Sequence, residues 1–152
     1  MRYELKPINQ ENWRTVAKLQ VAPHQEEMIE ANSLSLLEAA YDVRMNWSPI
    51  ALYVDKRIVG FAMIGAEDKE NHSIWFDRFM IDQKKQHQGY GHALFKSVLN
   101  YLHDNFHVEK VYLSVHPENE KAFPFYESFG FTALKVRDPH NGQKIMELTI
   151  DR

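Results

Sequence analysis

Three groups of residues have types and spacing suited to chemistry. In Gln86-His87-Gln88-Gly89-Tyr90-Gly91, two glycines stand one residue apart where a helix must begin. Glycine lacks a Cβ, so backbone N–H groups there can approach a ligand closely, and a helix start adds about half a unit of positive charge. Such a turn suits a phosphate, although a plain strand-to-helix turn without a ligand has the same spacing. The second group is Asp77 with Arg78, set between Ile74-Trp75-Phe76 and Phe79-Met80-Ile81. A carboxylate in an apolar strand needs a partner or a purpose: an ion pair with Arg78 is one, a cationic substrate the other. The third is Tyr126, flanked by Phe125 and Phe129. Its phenol could serve as a general acid, or the ring could be core. Glu26, Glu27 and Glu30, with Glu38 beyond them, form an acidic region that either faces solvent or draws a cation.

These residues need elements to position them. Residues 2–6 alternate as a first strand that Pro7 stops, and Asn9 can cap a helix carrying Trp13, Val16, Ala17 and Leu19 that Pro23 breaks. A second helical stretch is expected to about Glu30. A third should begin at Ser35, where Ser35-Leu36-Leu37-Glu38 matches a capping box. Residues 50–54 and 58–65 read as a hairpin turning at Asp55-Lys56-Arg57, followed by a strand over 74–81 buried on both faces except at Asp77. After Gly91, residues Leu94, Phe95, Val98, Tyr101 and Leu102 recur at helical spacing on one face. The apolar run 111–115 is an interior strand, parallel to 74–81 because a helix joins them. Residues 119–128 are expected to be helical with Gly130 as C-cap, and 131–136 and 144–150 to form a last hairpin around Asn141-Gly142.

The 152 residues fit one domain over 1–152, with no repeat, linker or low-complexity tract. No apolar run reaches the roughly 20 residues that span a bilayer, so no membrane partner is expected. The start of the chain has no signal-peptide core, and there is no cysteine for disulfide or thiolate chemistry, so the expected location is cytoplasmic. With a formal net charge of −3 and scattered basic residues, no nucleic-acid partner is expected. His103 and His107 stand four apart without a third ligand, and no metal is expected. His87 and His116 fall near the chemistry-bearing residues.

The order of elements resembles the Gcn5-related N-acetyltransferase (GNAT) family, and two motifs carry the resemblance. Gln86-x-x-Gly89-x-Gly91 resembles the family's acetyl-coenzyme A signature, and Asn119-x-x-Ala122-x-x-x-Tyr126-x-x-x-Gly130-Phe131 its C-terminal motif. The resemblance implies an α+β (α/β) fold with a central mixed, mostly antiparallel sheet of six to seven strands and about four helices. It implies acetyl-coenzyme A as cosubstrate, with Gln86, His87, Gln88, Gly89, Tyr90 and Gly91 around the pyrophosphate and Lys84, Lys85 and Lys121 as further phosphate candidates. The backbone of Phe79, Met80 and Ile81 would bond the pantetheine arm. Asn119 matches a coenzyme-contacting position and could also be a helix N-cap.

Tyr126 matches the family's usual general acid. The stretch 75–82, Trp75-Phe76-Asp77-Arg78-Phe79-Met80-Ile81-Asp82, looks like the matching strand of spermidine/spermine N-acetyltransferases, which implies that Asp77 lies in the amine site. An alkylamine is only about 0.1% neutral at pH 7.4, a cost of about 4 kcal/mol that a carboxylate can help offset. The implied reaction is direct attack of a primary amine, a polyamine such as spermidine or spermine, in a ternary complex, with Asp77 and Tyr126 catalytic and Asp77, Glu30 and Glu38 binding substrate. The resemblance places Trp47, Tyr41 and the helices expected between Pro23 and Asn46 in the region that shapes the acceptor pocket. Other readings stay open: an acceptor that is a protein N-terminus, a lysine or an aminoglycoside, or a coenzyme-binding sensor without catalysis. The family also suggests a homodimer.

Overall fold

A computed structural model describes residues 1–150. Seven strands, β1 (Tyr3–Pro7), β2 (Ser48–Val54), β3 (Arg57–Asp68), β4 (Ser73–Ile81), β5 (Lys110–Val115), β6 (Thr132–Arg137) and β7 (Lys144–Thr149), form one sheet in the order β1-β2-β3-β4-β5-β7-β6. Every neighbouring pair is antiparallel except β4 with β5. Four helices cover it: α1 (Trp13–Lys18), α2 (Asn32–Tyr41), α3 (Tyr90–Asn105) and α4 (Ala122–Glu127). This is the α+β architecture that the family resemblance implied.

The two faces of the sheet bury different side chains. On one, Leu94, Phe95, Val98 and Leu102 of α3 pack with Leu52, Ile64, Ile74, Phe76 and Val111. Tyr101, expected on that buried face, is 39% exposed and stacks edge-on with Phe106 at the helix end. On the other, Val16 of α1 packs with Ala51, Phe61, Met63 and Met80, and Leu36 and Ala39 of α2 close over them. β3 lies inside the sheet between β2 and β4, which is why residues 59–64 are all buried. Its turn from β2 uses Asp55 and Lys56 at φ 48° and 69°, the two left-handed residues of a tight hairpin.

Local signals and tertiary contacts disagree at the second and third helices. The stretch from Pro23 to Glu30 is not a helix but a single 3₁₀ turn, Pro23–Gln25, followed by irregular backbone. The helix expected from Ser35 starts instead at Asn32, whose side-chain amide donates to the Val16 carbonyl at 2.9 Å. That tie fixes the start three residues earlier than the local pattern. Ser35 is buried inside α2, and Glu38 reaches across to the sheet instead of back to a cap. Asn9 does organise the start of α1, accepting from the backbone N–H groups of Glu11 and Asn12. α4 is shorter than the expected 119–128; Pro124 sits in its first turn, where no N–H is needed, and Gly130 at φ 102° ends it.

Candidate active site

The site is a fork in the sheet. β4 and β5 pair only at Ser73, Ile74 and Trp75 against Lys110, Val111 and Tyr112. Beyond Trp75, β4 continues paired with β3 alone, and β5 continues paired with β7 alone. The backbone groups of β4 that point away from β3 along residues 76–81 therefore face an open wedge. A bulge sits where the wedge opens, since Met63 stands opposite Arg78 and Ile64 opposite Phe76, leaving Asp77 as the extra residue. The bulge switches the alternation, so Phe76 and Phe79 both pack on Phe95, with centroids at 4.7 and 5.1 Å.

A cavity of about 310 Å³ fills the mouth of the wedge. Phe79, Met80, Ile81, Gln86, His87, Gly91, Asn119 and Lys121, all expected at a coenzyme, line it. Gln88, Gly89 and Tyr90 do not: Gln88 and Gly89 are exposed beside it, and the Tyr90 ring packs against the core. Lys84 and Lys85 also lie outside its lining. Gly89 is nonetheless the pivot of the turn, at φ 80° immediately before α3. The Gln86 side chain donates to the Ile81 carbonyl at 2.9 Å and to Gln25 Oε1 at 3.0 Å, tying the turn to the end of β4 and to the opposite wall. In that wall, Gln25, Met28 and Ile29 belong to the 23–46 region expected to shape the acceptor pocket, but as irregular backbone instead of helix. Their place beside Val21 on the coenzyme side was missed because irregular backbone has no periodicity to read. The wall's spaced apolar residues were the available signal.

A second cavity of about 150 Å³ adjoins the first and shares Met28, Ile29, Phe79, Asn119 and Tyr126 with it. Asp77, Arg78 and Glu30 line its far side, with Ser114 and His116 from β5 and its end, and Asn141 and Gln143 from the β6–β7 turn. His116 was expected near the site; Ser114 and the hairpin residues were not foreseen. Ser114 Oγ donates to Asp138 at 2.9 Å, which anchors that turn over the cavity. His116 accepts from the Glu118 backbone N–H, a turn contact. Tyr126 is thus in the common wall of both spaces. Its ring packs on Phe95, Phe125 and Phe131, and burial pushes its phenol up to about 12. Tyr41 is 76% exposed and lines neither cavity, and Trp47 packs against Gly65, away from both.

Arg78 is the electrostatic centre of the smaller cavity. Its Nη1 donates to Asp77 and its Nη2 to Glu30, both at 2.6 Å, and Glu38 stands 3.7 Å from Nη2. Its Nε is buried without a partner among the described residues. Asp77 is shifted upward because burial outweighs the attraction of Arg78, with Glu30 and Asp138 adding repulsion. Burial alone would raise Glu30, but hydrogen bonds from Glu38 and Arg78 and the guanidinium charge hold it below its ordinary value. Glu38 is raised to about 7, by burial first and then by Glu30. Glu38 lines neither cavity and reaches the site only through Glu30 and Arg78. Among the described residues, no group of three or more His, Cys, Asp or Glu is placed to hold a metal ion, and no helix is long and apolar enough to cross a membrane.

The model of the acetyltransferase (GNAT) family matches residues 8–131 of the chain. The chain belongs to the GNAT family. Among curated relatives of this acetyltransferase, the spermine/spermidine N(1)-acetyltransferase of Bacillus subtilis is 32% identical over 151 residues, spanning 96% of this chain and 97% of the relative. Among solved structures, spermidine N-acetyltransferase from Vibrio cholerae in complex with CoA and spermine superposes with a TM-score of 0.75 at 18% identity, covering 97% and 95% of the two chains. The aminoglycoside acetyltransferase AAC(6')-Ib in complex with coenzyme A gives 0.80 at 16% identity, again over 97% and 95%. Likeness at these identities establishes the GNAT fold alone; the first of these structures holds CoA and spermine, the second coenzyme A.

Proposed function

We propose that this acetyltransferase moves the acetyl group of acetyl-coenzyme A to a primary amine of a polyamine, spermidine or spermine, by direct attack in a ternary complex. The observation that carries the reading is the wall shared by the two cavities. Tyr126, Asn119 and Phe79 face both the cavity at the wedge of β4 and β5 and an acidic pocket holding Asp77 and Glu30. The first suits a pantetheine arm lying along an unpaired strand edge. The second suits an ammonium. The relative named for spermine and spermidine adds independent support.

Each residue has a role in the proposal. Backbone amides of the turn before α3 and the start of that helix receive the pyrophosphate, with Gly91 and Lys121 at the cavity wall. The free edge of Phe79–Ile81 orients the thioester arm, as a strand edge orients a peptide. Asp77 receives the ammonium and helps carry away its first proton, so that the neutral nitrogen attacks the acetyl carbon as the C–S bond breaks. The second proton, shed as the nitrogen becomes an amide, is the one the departing sulfur takes up. Tyr126 donates to the departing sulfur. With the buried phenol near 12 and a solvated thiol at about 8.5, full proton transfer between them is unfavourable by a few units. Burial raises the thiol for the same reason it raises the phenol, which narrows the gap, and a phenol kept neutral remains a hydrogen-bond donor throughout.

The test is an acetylation assay with acetyl-coenzyme A across spermidine, spermine, diamines, aminoglycosides and lysine or N-terminal peptides. Polyamines are expected to give the highest kcat/KM. Turnover confined to aminoglycosides or peptides would replace the acceptor, and binding of coenzyme without turnover on any amine would leave a sensor. The same proposal includes a cytoplasmic homodimer, supported by the exposed apolar Leu34, Leu37 and Tyr41 of α2 with Val43 and Met45 beyond it. Light scattering that gives a monomer mass would remove the dimer.

A further inference from the structure

Three carboxylates share one guanidinium beside the proposed amine pocket. Asp77 and Glu30 are hydrogen-bonded to Arg78 and line the pocket, whereas Glu38 stands behind them, 3.7 Å from Arg78 and within hydrogen-bonding reach of Glu30. If all three are ionised, two negative charges are left uncompensated in a partly buried space. Two carboxylates in contact resolve this by keeping one proton between them. No other charged side chain of α2 answers Glu38, and the charged groups facing it are Glu30 from the loop before the helix and Asp77 and Arg78 from β4.

We infer that Glu38 stores a proton that a cationic acceptor displaces, so that the empty pocket is balanced by a proton and the filled one by the substrate's ammonium. Resting on the polyamine reading above, this makes Glu38 a positioning residue, acting on the acceptor through Glu30 and Arg78 without touching it. The exchange balances: one ammonium enters beside Asp77 and Glu30, and one proton leaves the Glu30–Glu38 pair for solvent. Glu38 has the right acidity for it, since burial and its neighbours place it at about 7 when the pocket holds no cation. An added positive charge lowers it again. The device would also tie acceptor affinity to pH over a range in which the amines themselves stay charged.

The experiment is calorimetry of spermidine binding to the full chain saturated with coenzyme A, in buffers of different ionisation enthalpy between pH 6 and pH 8. The wild type should release most of a proton per spermidine at pH 6, about half at pH 7 and little at pH 8, with affinity up to about tenfold weaker at pH 6 than at pH 8. Glu38→Gln, which mimics the protonated form, should bind spermidine with that release and that pH dependence removed. Should this variant fail to fold, Glu38→Ala, favourable in a helix, takes its place. Spermidine binding by the wild type without proton release, or with the same release in the Glu38 variant, overturns the inference and leaves the polyamine reading standing. A wild type that neither binds nor acetylates polyamines overturns both.

Discussion

Arg78 donates from Nη1 to Oδ2 of Asp77, its own chain neighbour, across 2.6 Å. Adjacent residues of a regular strand point to opposite faces of the sheet, so this contact depends on the bulge that makes Asp77 an extra residue on β4. The same bulge turns the pair into the pocket where β4 leaves β5. Asp77 is therefore both a structural ion-pair partner and a wall of the proposed amine site, and Arg78 keeps a second carboxylate, Glu30, when Asp77 is engaged elsewhere.

The two glycines of the turn separate into different experiments. A Cβ on Gly91 meets only Ile81 Cγ1 at 3.8 Å, but Gly91 lines the larger cavity, so Gly91→Val should fold and bind acetyl-coenzyme A at least about tenfold more weakly, a loss of about 1.4 kcal/mol. Gly89 has φ 80° and nothing within 4 Å, so Gly89→Val should cost stability of about 1–2 kcal/mol through backbone strain. Calorimetry and denaturant unfolding on both variants check this. Unchanged coenzyme affinity in folded Gly91→Val would remove the phosphate cradle.

Tyr126→Phe deletes the hydroxyl and keeps the ring among Phe95, Phe125 and Phe131. The kcat should fall by roughly 10- to 10⁴-fold while coenzyme affinity is nearly kept. Because burial holds the phenol near 12, its ionisation lies above the assay range and should put no basic limb in the kcat profile below about pH 10. An unchanged kcat in the phenylalanine variant would return Tyr126 to the core.

Gly60 on β3 pairs with Ile81 at the end of β4, on the side opposite the edge proposed to orient the thioester arm. A Cβ there would collide with the Met80 carbonyl oxygen and stand 2.9 Å from Ile81 Cδ1. Gly60→Ala should destabilise the fold by about 1–3 kcal/mol, the usual cost of overpacking, and weaken coenzyme binding by displacing β4. A melting temperature and coenzyme affinity equal to those of the wild type would show that the edge is not held from β3.

Glu38 also predicts how stability varies with pH. Its folded value of about 7 lies above the ordinary 4.5, so folding favours its protonated form, and that contribution is lost as pH rises through 7. Glu30 is shifted down, so its favourable contribution is complete once pH exceeds its ordinary value and does not change between pH 6 and pH 8. The melting temperature of Glu38→Gln relative to wild type should therefore rise from pH 6 to pH 8. A difference that stays flat would deny Glu38 its proton.

Much of the site was legible because its parts are local. The glycine turn, the helix seam of Leu94, Phe95, Val98 and Leu102, and the carboxylate inside an apolar strand are patterns a few residues long, and the structure brings Gln86, Gly91, Asn119 and Lys121 to one cavity. What escaped was set by contacts distant in the chain. The Asn32 amide on Val16 moved the start of α2, and Arg78 drew Glu38 away from the capping role its spacing suggested. The residue 21–29 wall and the β6–β7 turn over Ser114 are irregular segments placed by the sheet, and their sequences alternate at no period.

The acidic pocket at the fork is proposed to receive a cationic acceptor, and Asp77→Asn probes that charge while keeping the shape of the side chain. We expect kcat/KM for spermidine to fall by on the order of 1.5–3 kcal/mol, the value of a charge-assisted hydrogen bond, while a weakly basic arylamine loses far less and acetyl-coenzyme A still binds. Glu30 remains on Arg78, so the melting temperature should drop only modestly. An equal loss for both acceptors together with a strongly lowered melting temperature would leave Asp77 only a structural partner of Arg78.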